Sequence, residues 1–457
     1  MNEAILPKWA KEITRFLSVK SQFVLWGNVY DVYPIEYGGS VVTLRMSDYL
    51  RSLLKEAGYS LILSYEPLYG FRLLEGNPDL YREITGSPLH EPSRPCTLTV
   101  AAQLIEQLAE SAKAHTAVIM NFASRLPDIA KTDIEEFLYK TFRLTHTASP
   151  RMVAEEPLPK FNPLIWIVDK ENDLPAWFAL DNSRVKVLPV PKPDYEVRKL
   201  VVTNISRNLQ GFAAVDEKRQ QETLALFIDQ TNGLHASEII AIAALATREK
   251  VAFQDIGDAI RMYKLGIIEN PWAKLDLEKI ANSEAVLANR VKGQSHAIRK
   301  ASDSIKRAVY NLSGSQYSRS SQRPKGVLFF AGPTGVGKTE LAKTITEMLF
   351  SSETNYIRFD MSEFAHEHAD QRLIGSPPGY VGYDVGGQLT NAIKQNPFSV
   401  VLFDEIEKAH PRILDIFLQI LDDGRLTSGR GETVYFSESL IVFTSNLGIY
   451  EQLLDGR

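Results

Sequence analysis

Gly326-Val327-Leu328-Phe329-Phe330-Ala331-Gly332-Pro333-Thr334-Gly335-Val336-Gly337-Lys338-Thr339-Glu340 is the stretch on which the reading of this chain turns. An apolar run suited to a buried strand leads into a loop with three glycines, then a Lys-Thr pair, then helix-forming sequence from about Glu340. That order is the setting of a phosphate cradle. Glycines let backbone N–H groups wrap phosphate oxygens, and the helix N-terminus adds its positive end. Gly332, Pro333, Thr334, Gly335, Val336, Gly337, Lys338 and Thr339 are therefore expected to hold ATP. Lys338 would reach the β- and γ-phosphates and Thr339 would hold Mg²⁺.

A second element supports the first. Ser399-Val400-Val401-Leu402-Phe403-Asp404-Glu405 reads as a buried strand ending in two adjacent carboxylates. Alone, such a pair is most simply two solvated acids. Beside a phosphate loop, Asp404 is expected to bind the metal through water, and Glu405 to polarise an attacking water as general base. A further strand, Leu440-Ile441-Val442-Phe443, ends in Thr444-Ser445-Asn446, where an amide can orient that water.

Outward from this site the α/β pattern continues. Strands are expected at 326–330, 356–359, 400–403 and 440–443, and in the first half at 23–26, 60–63, 117–120, 164–168 and 185–188. Short apolar runs between helical patterns, such as 101–111 and 134–142, suit buried strands of a parallel sheet. From Tyr195 to about Gly266 only helix-forming sequence is seen, and Asn270-Pro271-Trp272 reads as a turn. The serine-rich run Ser313 to Ser321 reads as a loop.

With 457 residues the chain is too long for one core. A formal charge of -5 gives no reason to expect nucleic acid as the main partner. The single cysteine, Cys96, excludes an intrachain disulfide. The N-terminus lacks a basic and apolar leader, and no apolar run approaches the roughly 18 residues of a membrane span. A cytoplasmic protein is expected, with no membrane partner.

Residues from about Arg290 onward resemble the second ATPase module of ClpB-type Clp chaperones, in the AAA+ family. The resemblance rests on Arg290-Val291-Lys292-Gly293-Gln294, the Gly332–Thr339 loop, Gly375-Ser376-Pro377-Pro378-Gly379-Tyr380-Val381-Gly382-Tyr383, and Leu402 through His410. Leu421 through Thr427 and Thr444 through Gly448 add to it. It implies an adenine pocket drawing on Val291 and Gly293, and a pore loop in which Tyr380 and Val381 grip a polypeptide inside a ring of six. The first half resembles a degenerate module of the same family. It has Gly27-Asn28-Val29-Tyr30-Asp31-Val32 where a phosphate loop should be, and Asn121-Phe122 where paired acids should be. Arg184 falls near the family's arginine-finger position, where a structural or solvated arginine is the better reading.

The fold class expected is α/β, as two tandem P-loop-type AAA+ modules with helices flanking parallel sheets. The divisions are a degenerate α/β subdomain at 1–194, its helical lid at 195–266, a linker at 267–290 and a catalytic α/β subdomain at 291–457. No coiled-coil insert or separate substrate-binding domain is visible, which puts the family's disaggregation role in doubt. The second module stops before its lid, so the 457 residues are expected to belong to a longer protein, with the strand before the phosphate loop at an open sheet edge. The function implied is a ring-forming ATPase that unfolds, threads or remodels a protein substrate, its first module inactive. The alternative is a nucleotide-switched scaffold or regulator that threads nothing.

Overall fold

The computed structural model describes residues 6–37, 40–89, 96–130, 133–152, 158–179, 181–267, 270–310, 312, 323–350, 355–377, 379–380 and 385–447. The serine-rich run 313–321, Val381 and Gly448 lie outside the described residues. The chain divides into two compact units, Met1–Leu209 with Thr231–Ala244, and Gln210–Gln230 with Leu245–Arg457.

In the first unit the strands are β1 (Gln22–Gly27), β2 (Val32–Tyr37), β3 (Ser40–Arg45), β4 (Leu61–Glu66), β5 (Gly70–Glu75), β6 (Thr116–Met120), β7 (Leu164–Val168) and β8 (Val185–Val190). Six of them form one sheet in the order β5-β4-β6-β7-β1-β8, parallel except for the edge strand β5. The five apolar runs expected in this half become β1, β4, β6, β7 and β8. β1, β4, β6 and β7 are legible because inner strands are covered on both faces, whereas β8, at the sheet edge, is only part-buried. Along β7, Leu164, Trp166 and Val168 enter one core while Ile165 and Ile167 enter the other. The indole of Trp166 donates to Gln22 Oε1 (2.9 Å), and Gln22 Nε2 donates to the Thr141 carbonyl (2.6 Å), so the buried polar groups are paired.

The β2–β3 hairpin and β5 do not follow from apolar runs. Their sequences, VYPIEY, SVVTLR and GFRLLE, mix polar residues and a proline into half-covered antiparallel strands. Between Tyr195 and Gly266 the regular elements are all helical, with α-helices at Tyr195–Ser206, Glu217–Gln230, Ala236–Arg248 and Ile256–Leu265. Asn270 caps a short 3₁₀ turn, Pro271–Lys274, where the Asn-Pro turn was expected. Arg184 stacks over the Phe161 ring at 5.0 Å, an intramolecular packing role.

The second unit contains β9 (Gly326–Ala331), β10 (Tyr356–Asp360), β11 (Val400–Asp404), β12 (Arg425–Thr427), β13 (Thr433–Tyr435) and β14 (Leu440–Ser445). Four of these form a parallel sheet in the order β10-β11-β14-β9, and β12–β13 is a separate short hairpin. β11 and β14 are buried along their whole length, as their uninterrupted apolar sequences require. In register, Phe359, Phe403, Phe443 and Phe329 form one row across all four strands. Phe403 stacks between Phe359 (5.8 Å) and Phe443 (5.5 Å), and Phe417 packs against Phe403 at 4.5 Å. The row ends in water. β9 pairs on one side only among the described residues, and Phe329 is 59% exposed there.

Phe403→Ala removes the middle ring of this row and should cost about 3–5 kcal/mol. Urea titration followed by hydrogen exchange in β10, β11 and β14 would read it as a lower midpoint, with β1 and β7 unchanged. An unchanged midpoint would mean that the row is not a source of stability.

Candidate active site

The carboxyl ends of β9, β11 and β14 carry the residues singled out in the sequence. After β9 the chain turns through Gly332, Gly335 and Gly337, all at positive φ (154°, 85° and 97°), which side chains rarely adopt. The helix Lys338–Phe350 follows, starting two residues earlier than expected, with the Leu341 N–H bonded to the Gly337 carbonyl at 2.9 Å. Lys338 Nζ donates to the carbonyls of Gly332 and Pro333 (3.0 Å for the latter) and to Asn446 Oδ1 at 2.8 Å. The Asn446 amide Nδ2 in turn donates to Glu405 Oε1 at 3.0 Å. Lys338, Asn446 and Glu405, far apart in sequence, thus form one hydrogen-bonded chain.

Asp404 is buried at the end of β11 with both oxygens engaged. Oδ2 accepts from Arg358 Nε (3.1 Å) and Nη2 (2.7 Å), and Oδ1 accepts from the Thr444 hydroxyl. The same hydroxyl accepts the Glu405 N–H at 3.0 Å, so one buried side chain ties the two acids together. Glu405 itself sits at φ 55°, ψ 54°, a left-handed conformation uncommon for a residue with a side chain. Beside it, Glu407 Oε1 accepts the Asn446 N–H at 2.9 Å. Burial would push the Glu407 carboxyl up, but hydrogen bonds from the Asn446 and Glu407 N–H groups and the Ser445 hydroxyl hold it below its ordinary value.

Arg358, Thr444 and Glu407 did not figure in the sequence reading of the site. The sequence carries no signal for Arg358, whose side chain is half exposed and meets Asp404 only through the register between β10 and β11. Among the described residues no hydrogen bond joins Thr339 to Asp404.

A groove of about 280 Å³ adjoins the glycine loop, lined by Val291, His296, Leu328, Val336, Gly337 and Leu341 among others. Val291, one of the two residues of the expected adenine pocket, lines this groove. Gly293 is not among the lining residues. A Cβ on Gly337 would lie 3.2 Å from Val291 Cγ1, so the glycine also lets the loop close on that wall. No group of three His, Cys, Asp or Glu side chains capable of holding a metal occurs among the described residues. Thr339 and Asp404 offer only oxygen, a donor set that fits Mg²⁺ completed by phosphate and water.

Residues 323–455 match the family described as "AAA domain (Cdc48 subfamily)", and residues 2–191 match "AAA+ chaperone, N-terminal Rossmann-like domain". The chain belongs to the AAA+ family. It is 47% identical over 210 residues to the chaperone protein ClpB of Corynebacterium glutamicum, which covers 45% of this chain and 24% of that protein. It is 48% identical over 204 residues to the probable chaperone protein ClpB 1 of Chlorobaculum tepidum, covering 45% of each. The matched part of the chain thus spans less than half of the length of these relatives, 24% of one and 45% of the other. A solved structure described as the closed state of Hsp104 with ATPyS and FITC casein has a TM-score of 0.58 and 22% identity, covering 96% of this chain and 71% of that one, a likeness of fold.

In the first sheet β4-β6-β7-β1 follow the same order as β10-β11-β14-β9 in the second, with different residues at the strand ends. After β6, Asn121-Phe122 stands where Asp404-Glu405 follows β11. Phe122 has φ 53° and ψ 37° and leads into a 3₁₀ turn, as Glu405 does. Phe122 stacks on Tyr30 (5.4 Å, 16° between planes). Asn121 is held by Ser47 and Glu66.

Tyr380 is 64% exposed, with its N–H on the Pro377 carbonyl at 3.3 Å. The segment bearing it leaves the fold through a neck of glycines. A Cβ on Gly387 would lie 2.2 Å from the Ile374 carbonyl carbon, and one on Gly429 2.2 Å from the Gly375 oxygen. The Gly429 N–H also donates to the Ile374 carbonyl at 3.0 Å.

Thr444→Val keeps the shape of the side chain but leaves the Glu405 N–H and an Asp404 oxygen without a partner. The expected loss is about 1–3 kcal/mol, seen as a lower melting temperature. An unchanged melting temperature would show that the hydroxyl does not tie the acids together.

Proposed function

We propose that the chain hydrolyses ATP at the Lys338–Asn446–Glu405 site, and that within a ring, of six copies by resemblance, the energy is used to unfold, thread or remodel a polypeptide. The observation that carries this reading is the hydrogen-bonded chain from the phosphate-loop lysine through Asn446 to a carboxylate adjoining Asp404. The likeness to ClpB chaperones supports it, as does the polypeptide recorded with Hsp104.

Bound ATP supplies the γ-phosphoryl group, and Thr339 and Asp404 would hold the Mg²⁺ that would offset its charge. Lys338 exchanges the Gly332 and Pro333 carbonyls for phosphate oxygens. Asn446 keeps its amide on Glu405 and orients the attacking water, whose proton passes to the Glu405 carboxylate. Val291 and the apolar wall of the groove take the base. Tyr380, exposed on its loop, offers an aromatic face that can hold a chain without reading its sequence. Val381, beside it, belongs to the same proposed grip. The first unit, with Phe122 in place of a base and no lysine in Gly27–Val32, serves assembly rather than turnover.

That loss of chemistry also favours a second reading, in which ATP binding switches assembly and nothing is threaded. Two variants separate the two. Glu405→Gln should cut ATP turnover by about 10²–10⁴-fold while trapping an ATP-bound oligomer, read by phosphate release and by mass. A wild-type chain that binds ATP but neither hydrolyses it nor assembles would refute the motor. Tyr380→Ala should leave turnover intact and abolish unfolding of a labelled casein substrate. Casein work that survives the substitution would turn the assignment away from threading through this loop.

A further inference from the structure

In the first unit the turn after β1 carries a buried carboxylate at the start of a helix 205 residues away. Asp31 is 4% exposed. Its Oδ2 accepts the Ala236 N–H at 2.7 Å and Asn28 Nδ2 at 3.0 Å, and its Oδ1 accepts the Ser237 N–H at 2.9 Å. These are free N–H groups of the first turn of the helix Ala236–Arg248, where the peptide dipoles favour negative charge. Burial would push the Asp31 carboxyl up. The hydrogen bonds from Asn28, Ser237, Ala236 and Val32 outweigh it and hold the carboxyl below its ordinary value.

The surroundings leave no room for anything else. His235 Nδ1 pairs with Asn28 Oδ1, and the Tyr33 hydroxyl donates to the Asn28 carbonyl. A Cβ on Gly27 would lie 2.9 Å from the Val190 oxygen, so the turn is pressed against the end of β8. Trp9, Tyr33 and Tyr49 fill the adjoining space, with ring centroids 5.4–5.5 Å apart. The cavity beside Asp31 holds about 40 Å³, room for a water and not for a nucleotide.

We propose that Asp31 is a built-in anion, taking the part a bound phosphate plays at a helix N-terminus and keeping the start of the helix Ala236–Arg248 docked on the β1 turn without any ligand. The turn after β9 carries a lysine and no carboxylate of its own, and by the proposed function it takes its anion from outside. The turn after β1 brings its own. The first unit is thereby fixed in one closed form, whatever nucleotide is present.

Hydrogen-exchange mass spectrometry on the full chain, reading peptides over residues 234–244, tests this with and without ATP and Mg²⁺. In the wild type and in Lys338→Ala, protection there should be the same in both conditions. In Asp31→Asn, which keeps the shape and loses the charge, exchange should quicken about 10- to 100-fold, the loss expected for hydrogen bonds to a charged group. The wild-type comparison needs no folded variant. Slower exchange on adding ATP, above all in Lys338→Ala, would overturn the proposal by showing that the unit takes a ligand. Exchange in Asp31→Asn equal to that of the wild type would overturn it as well.

Discussion

Parallel, in-register pairing of β9, β10, β11 and β14 sends four strands the same way, so that their carboxyl ends share one edge of the second sheet. Asp360 lies opposite Asp404, and Ser445 opposite Ala331. The phosphate loop, the paired acids and the terminal amide meet because each is the first thing its strand delivers at that edge. A slip of one residue in β14 would turn Thr444 to the other face of the sheet and separate the acids from their common hydroxyl. The phenylalanine row and the two cores hold that register, so the packing is a condition of the chemistry.

The two sheets share a backbone feature at the same strand end while differing in the residue that carries it. Phe122 keeps the left-handed backbone of Glu405 although an aromatic has no use for it there. The conformation belongs to the strand-to-turn junction and not to the carboxylate. The polar network of the first unit has been reorganised around groups from within the chain. Asn121 is satisfied by Ser47 and Glu66, and Asp31 by backbone N–H groups.

Much of this was legible in the sequence, for a physical reason. The inner strands β1, β4, β6, β7, β11 and β14 are buried along most or all of their length, so each shows as an apolar run, whereas β8, β9 and β10 lie at sheet edges, are only part-buried, and show through the apolar residues they turn to the cores. The hairpins and β5 did not show, because half-covered antiparallel strands of three to six residues carry no such run. At the site, Lys338, Asp404, Glu405 and Asn446 were visible through their spacing from strands. Arg358 and Thr444 were hidden, because their partners are set by register between strands and not by distance along the chain. Asp31 was hidden more deeply, its partners being backbone atoms of a remote helix turn.

The glycine neck beneath Tyr380 is built from main chain pressed on main chain, with Gly387 against Ile374 and Gly429 against Gly375. Side chains in a joint can change rotamer and absorb displacement. Backbones in direct contact, one of them hydrogen-bonded to the other, have no such slack. The ends of the segment at Gly375 and Gly387 are therefore tied closely to the helix Ala369–Ile374 and to the turn between β12 and β13, and a side chain at Gly387 or Gly429 would force the backbones apart.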